Sequence, residues 1–182
     1  LHNIRNATAA AAVSYTIGIS SYMIKKGLKS FNGVERRFNI LFEYNNSKFI
    51  DDYAHHPTEI KAVLDSVKNV YKKERIICIF QPHRISRLNY LKKNFEKCFR
   101  NADLLVLWPI YRAGENIKLK FKYEKFEKEI IKHSDLKVIM IKDETDLFKF
   151  VKQNVFFESL VVGMGAGSIS NWMRNLQSKL KW

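Results

Sequence analysis

Short apolar runs that alternate with segments of helical spacing limit the possible folds of this chain more than any other feature. Residues 76–80 (Ile76, Ile77, Cys78, Ile79, Phe80), 104–108, 136–141 and 159–163 are strand-length runs dominated by Ile, Leu, Val and Phe. Ile60, Val63, Leu64, Val67 and Val70 line a helix before the first run, and Leu91, Phe95 and Phe99 line another over 87–100. A charged helix over 121–133, a helix over 144–154 and a last helix carrying Ile169, Trp172, Met173, Leu176 and Leu180 complete the series. Strands apolar on both faces need cover on both faces, and crossover helices supply it. The pattern predicts an α/β fold, with a mostly parallel, Rossmann-like sheet between two layers of helices.

The first fifth of the chain reads differently. Residues 3–19 are alanine-rich, with Ile4, Ala7, Ala11, Ala12, Tyr15 and Ile19 at helical spacing. Gly18 suits the helix end, and Ser20 suits the cap of a second helix carrying Met23, Ile24, Leu28 and Phe31. Asn32-Gly33 is a turn signal, and the sequence predicts a domain boundary there, dividing 1–32 from 33–182. Phe38, Ile40, Phe42 and Tyr44 then alternate with Arg37, Asn39, Leu41 and Glu43. With a turn at Asn45-Asn46 and a return strand over 48–51, they predict a β-hairpin at the edge of the sheet.

At 182 residues and 46% apolar content, the chain is long enough for one domain and part of another. The net charge of +14 fits an anionic partner, but the lysines are spread along helix faces, which equally fits a solvated surface. No nucleic-acid motif accompanies the charge. Cys78 and Cys98 form no CxxC pair and read as reduced packing residues of a cytoplasmic protein. No apolar run approaches the roughly 18 residues needed to cross a membrane. The chain opens inside a helical pattern without a start methionine, so a longer natural product is expected.

Chemistry concentrates in two loops. Residues 50–59 read Ile-Asp-Asp-Tyr-Ala-His-His-Pro-Thr-Glu, between an apolar strand end and a helix start. The next strand runs into Gln81-Pro82-His83-Arg84-Ile85-Ser86-Arg87. Loops at the carboxyl edge of an open sheet are where ligands bind. One is acidic and aromatic, the other basic, and together they suit a ligand of both charges such as an amino acid. Asp51, Asp52, His55 and His56 are metal-ligand types, but neighbours on extended backbone point to opposite sides, which disfavours one shared ion. An aspartate here suits sugar hydroxyls or a cap on the helix after Pro57. Arg84 and Arg87, three apart at a helix start, suit a carboxylate or phosphate. One of Arg36 and Arg37 can reach a phosphate, or both can be solvated. Asn3 and Asn6, one helical turn apart, can present amides to a base edge, or one can cap the helix. The run Gly163-Met164-Gly165-Ala166-Gly167-Ser168 lacks the spacing of a nucleotide fingerprint and reads best as a tight turn. No GxxxxGK[ST] loop occurs in the chain.

Six strings, HNIRNATAAAAVSYTIGI, GVERRF, DDYAHHPTEIKAVL, FQPHRISR, YRAGE and GAGSISNW, occur in an order that resembles the Mur ligases over nearly the whole chain. The resemblance implies the third, amino-acid-binding domain of a three-domain ATP-dependent enzyme, preceded by the last helices of its central ATPase domain. The implied reaction joins L-alanine to UDP-N-acetylmuramate through an acyl phosphate, in cell-wall peptidoglycan synthesis. A murein-peptide recycling ligase shares the first loop, and His83-Arg84 favours the L-alanine-adding branch. By the same resemblance Asn3, Asn6 and His2 lie at adenine, Arg37 at the nucleotide phosphates and Asp52 at the ribose. Tyr53, His55, Arg84 and Arg87, with His83, surround the amino acid. ATP and Mg2+ are implied, with the phosphate loop and metal ligands on residues outside this chain, so the chain alone is expected to be inactive. Ile85, Leu88 and Arg112 depart from the family pattern, the first two where an aromatic and a threonine are expected.

Overall fold

The computed structural model describes residues 2–31, 33–116, 118, 121–156 and 158–180, and the side chains of residues 2 and 3 fall outside that description. Two compact units are present, Leu1–Glu35 and Arg36–Trp182.

The first unit is a helical pair, α1 (His2–Thr16) and α2 (Ser21–Ser30). Gly18, at φ 88°, turns the chain out of α1 as only a residue without Cβ does cheaply. The Ser20 hydroxyl then accepts the Met23 N–H to start α2, as its position predicted. Val13, Tyr15, Tyr22 and Met23 are all exposed on this pair.

The second unit contains β1 (Asn39–Tyr44), β2 (Ser47–Asp52), α3 (Pro57–Val70), β3 (Arg75–Phe80), α4 (Ile85–Tyr90) and α5 (Lys92–Cys98). They are followed by β4 (Leu104–Leu107), α6 (Tyr123–Ser134), β5 (Lys137–Met140), α7 (Glu144–Asn154), β6 (Ser159–Met164) and α8 (Ile169–Leu180). The six strands lie in the order β1-β2-β6-β3-β4-β5, with β1 antiparallel to β2 and every other pair parallel. This is the predicted α/β sheet with an N-terminal hairpin. Asn45 and Asn46 both take positive φ, the geometry of a two-residue hairpin turn.

Side-chain alternation divides the core into two layers. Ile76, Cys78 and Phe80 of β3 pack with Leu64, Val67, Phe95, Phe99 and Phe126 on one face. Ile77 and Ile79 pack with Leu147, Phe150, Val151, Met173 and Leu176 on the other. Each such buried side chain stabilises the fold by roughly 1.5–3 kcal/mol. Both cysteines are buried and free, and burial pushes their thiols well above the usual range, which leaves them inert. Among the described residues, no helix is long and apolar enough to cross a membrane.

Three local expectations are corrected. The helix expected over 87–100 is two helices that meet at Leu91. The strand expected over 104–108 ends at Leu107. In β1 the register slips between Ile40 and Phe42, so the alternation breaks: Phe42 is buried while Phe38 and Ile40 are exposed.

Register fixes where function can sit. Asp52 and Phe80 both pair with Met164, and Phe80 also pairs with Leu107. The loops that leave β2, β6, β3 and β4 therefore emerge side by side at one carboxyl edge.

Candidate functional site

The loop after β2 is built by its own acids. The Asp52 carboxylate accepts the Phe38 N–H (2.9 Å) and the Ala54 N–H (2.8 Å), tying the approach to β1 against the loop. Burial raises its pKa, against the pull of those two amides. The cap of α3 is His56 rather than an aspartate. Its Nδ1 accepts the Thr58 N–H, and Glu59 accepts the N–H groups of both His55 and His56 (3.1 Å each), with Pro57 at the first helical position. Partial burial opposes ionisation of Glu59, yet those two amides and the neighbouring imidazoles hold its pKa below the usual carboxylate value. His55 Nδ1 donates to the Tyr53 carbonyl (2.9 Å), so that nitrogen carries a proton.

The loop after β3 comes to meet it. The rings of His55 and His83 stand 5.7 Å apart, Tyr53 packs edge-on to His55 at 5.2 Å, and Tyr111 stacks on His83 at 5.7 Å. Arg87, one helical turn on, directs a guanidinium N–H at His83 Nδ1 (3.2 Å). Partial burial first, then the cations Arg87 and Arg84 and nearby His55, lower the His83 pKa, with Glu115 opposing them. Arg84 is exposed, and its backbone stands at φ 68°, a strained conformation for an L residue.

Two further segments complete the edge. The segment after β4 is bonded to the basic loop: Tyr111 N–H donates to the Pro82 carbonyl (2.8 Å) and Arg84 N–H to the Tyr111 carbonyl (3.0 Å). The glycine run after β6 is a close-packed turn, as its spacing predicted. A Cβ on Gly167 would stand 2.5 Å from Gln81 Oε1 and 2.6 Å from Tyr111 Cγ. Buried Gln81 accepts the Ile169 N–H (2.9 Å) and donates to Ser168 (3.0 Å), capping α8 from the neighbouring strand.

Of the predicted residues, Tyr53, His55, His83 and Arg87 are linked in a row of contacts, and exposed Arg84 follows His83 in the chain. Asp52 and exposed Arg37 adjoin it at the approach to β1. Asn6 is exposed on α1 in the other unit, while the side chains of His2 and Asn3 lie outside the described residues. Ile85 and Leu88 are buried beneath α4. Residue chemistry alone left the two arginines before the hairpin open, and the resemblance chose Arg37; the structure shows what Arg36 does. Arg36 stacks over Tyr53 (4.8 Å), donates to the Gly165 carbonyl (2.5 Å) and lies 3.7 Å from buried Asp51, which also takes the Ser170 hydroxyl (2.5 Å). Gln81 and Glu115 were missed as structural contributors, although both stand inside motifs already singled out.

Among the described residues, Asp51, Asp52, His55 and His56 form no group of ligand atoms close enough for one cation. Among the described residues, the grouping of ligand types close enough for a cation is Glu96, Glu129 and His133 on α5 and α6. There His133 Nδ1 already donates to the Glu129 carbonyl (2.9 Å) and stands 3.7 Å from both carboxylates.

The family described as "Mur ligase, glutamate ligase domain" matches residues 36–167. The UDP-N-acetylmuramate–L-alanine ligase of Pelagibacter ubique is 58% identical over 97% of the chain, and that of Rickettsia conorii is 42% identical over 98%. The chain spans 38% of the length of each. In three dimensions it superimposes on a UDP-N-acetylmuramate–alanine ligase of Thermotoga maritima (TM-score 0.75, 30% identity, 100% of this chain and 38% of that one). A murein peptide ligase of Psychrobacter arcticus shares the fold (TM-score 0.77, 23% identity, 99% of this chain and 37% of that one).

Proposed function

The chain belongs to the Mur ligase family, and on that premise we propose that it is the amino-acid-binding part of an ATP-dependent ligase that joins L-alanine to UDP-N-acetylmuramate in the cytoplasm. Residues 1–32, with their helical pair, then belong to the central ATPase domain. One observation carries the reading: the His55–His83 ring contact joins the acidic and basic loops into a single surface.

The roles follow from residue chemistry. Arg84 and Arg87 grip the carboxylate of the incoming amino acid, since guanidinium forks match carboxylate geometry. Tyr53, His55 and His83 wall the amino group and fix its approach. The lactyl carboxyl of the sugar, activated as an acyl phosphate, is attacked by that amine. The C–N bond forms, the C–O bond to phosphate breaks, the nitrogen loses a proton, and inorganic phosphate leaves. The protein's contribution is positioning and charge neutralisation. Arg37 neutralises nucleotide phosphate. Asp52 meets the ribose through the oxygen lone pairs that its two amide partners leave open. Asn6 is assigned to adenine.

Magnesium serves the family's phosphoryl transfer, and among the described residues the acids at this edge form no cluster that would hold it. Asp51 is held by Ser170 and Arg36, and Asp52 by two amides. The metal's ligands are assigned to the rest of the enzyme. Preference for alanine over glycine turns on one methyl group, worth about 1–3 kcal/mol in a fitted pocket.

The test is kinetic. In the complete enzyme carrying this chain, Arg84→Ala and Arg87→Ala each raise the KM for L-alanine by about tenfold or more, the loss of one charge-assisted contact. The KM for ATP stays within about twofold, because that binding is not made by these side chains. Unchanged alanine KM in both variants would refute the assignment.

A further inference from the structure

The start of α4 carries a conformational debt. Arg84 occupies its N-cap position at φ 68°, ψ 131°, and its side chain makes no capping hydrogen bond. Such a backbone is unfavourable for an L residue and persists only where its surroundings over-determine it. The first N–H groups of the helix also need acceptors.

Glu115, thirty residues later, supplies them. One carboxylate oxygen accepts the Ile85 N–H at 2.6 Å. The Ser86 N–H lies within 3.3–3.4 Å of both oxygens, and the Ser86 hydroxyl donates to the second. On the other side of Arg84, its own N–H is held by the Tyr111 carbonyl, and Tyr111 is held by Pro82. The strained residue is thus clamped before and behind by one loop, through residues 111 and 115. Both arginines leave from this clamped turn, Arg84 at its cap and Arg87 in its first full turn.

We propose that Glu115 is a positioning residue for the amino-acid site: it caps α4 from another loop, holds Arg84 in its strained backbone and so aims the two guanidinium groups. The inference rests on the reading of Arg84 and Arg87 as the carboxylate grip. Ser86 is the second half of the device, its hydroxyl fixing which carboxylate oxygen faces which amide. The clamp also occupies the Ile85 and Ser86 N–H groups, which leaves a substrate carboxylate the arginine side chains to bind.

The test uses Glu115→Ala, Glu115→Gln and Ser86→Ala in the complete enzyme, beside the two arginine variants. Glu115→Ala raises the KM for L-alanine by about tenfold or more, the scale of a misaimed binding group. The kcat at saturating alanine and the KM for ATP move by less than about twofold, since neither reports uniform binding of the amino acid. Glu115→Gln restores part of the loss, because its amide oxygen still accepts an N–H, and Ser86→Ala shows a smaller shift in the same direction. Hydrogen exchange on the 182-residue chain itself shows faster exchange at the Ile85 and Ser86 amides in Glu115→Ala. If the arginine variants raise the alanine KM while both Glu115 variants leave it unchanged, the positioning role is overturned and the grip stands. If neither arginine variant moves the KM, the grip itself has failed. A lowered melting temperature with unaltered alanine KM would mean that Glu115 only stabilises the fold, and unaltered exchange at Ile85 and Ser86 would rule out the cap.

Discussion

His83 sits where three influences meet: partial burial, the adjacent arginines and the ring of His55. All three disfavour the imidazolium, so its pKa in the folded chain falls below the ordinary value of about 6.5. The unfolded chain then binds more protons than the folded one between those two values. Stability contributed by neutral His83 is complete above about pH 6.5 and is lost as the pH falls from there through the folded pKa. Urea unfolding at a series of pH values is expected to show this loss, and His83→Asn to flatten that part of the profile; an unchanged profile would argue against a depressed imidazole. His83, like His55 and the arginines, was legible in the sequence because charged and aromatic types at the end of an apolar strand are unusual. Glu115 was not, because its partners lie thirty residues away and periodicity carries no record of hydrogen bonds. Nor could composition or spacing show the packing role of Arg36 beside Arg37. Two adjacent, chemically identical residues took different partners only once Gly165, Asp51 and Tyr53 came together.

Among the elements, the turn from β6 into α8 sets the tightest limit on the site. Gly167 lies against both Gln81 and Tyr111, so Gly167→Ala is expected to displace the cap of α8 and the ring stacked on His83. The cost is about 1–3 kcal/mol, the range of overpacked substitutions. Thermal unfolding reads that loss, and a variant with wild-type stability would show that the turn relaxes freely. Strands and helices were predicted well here because two-sided burial leaves a plain apolar signature. The division between α4 and α5 was hidden for an equally physical reason. Residues 85–98 contain neither Gly nor Pro, and Leu91, Phe95 and Phe99 keep helical spacing straight through the break. The bulge in β1 was hidden likewise, since one slipped pairing changes which face Ile40 presents without changing its apolar character.

At the scale of the molecule, the sheet unit carries a complete two-layered core of its own. A chain beginning at Val34 is therefore expected to fold and to melt within about 4 °C of the 182-residue chain, the shift that about 1 kcal/mol makes. Loss of cooperative unfolding on that truncation would show that the helical pair is needed for the sheet. The strand order has one more consequence. β6 is the last strand in the sequence, yet it occupies the middle of the sheet, pairing with β2 and β3, so that Ser47 and Ser159 bond across 112 positions. While the ribosome is still working on the preceding helix, the hairpin on one side and the three strands on the other face each other across an unfilled slot. Each shows a row of unpaired amides and carbonyls to whatever else is nearby. Only the emergence of residues 159–164 closes the slot, and with it the ligand edge takes shape. A nascent chain halted before that point is the species a chaperone would have to guard.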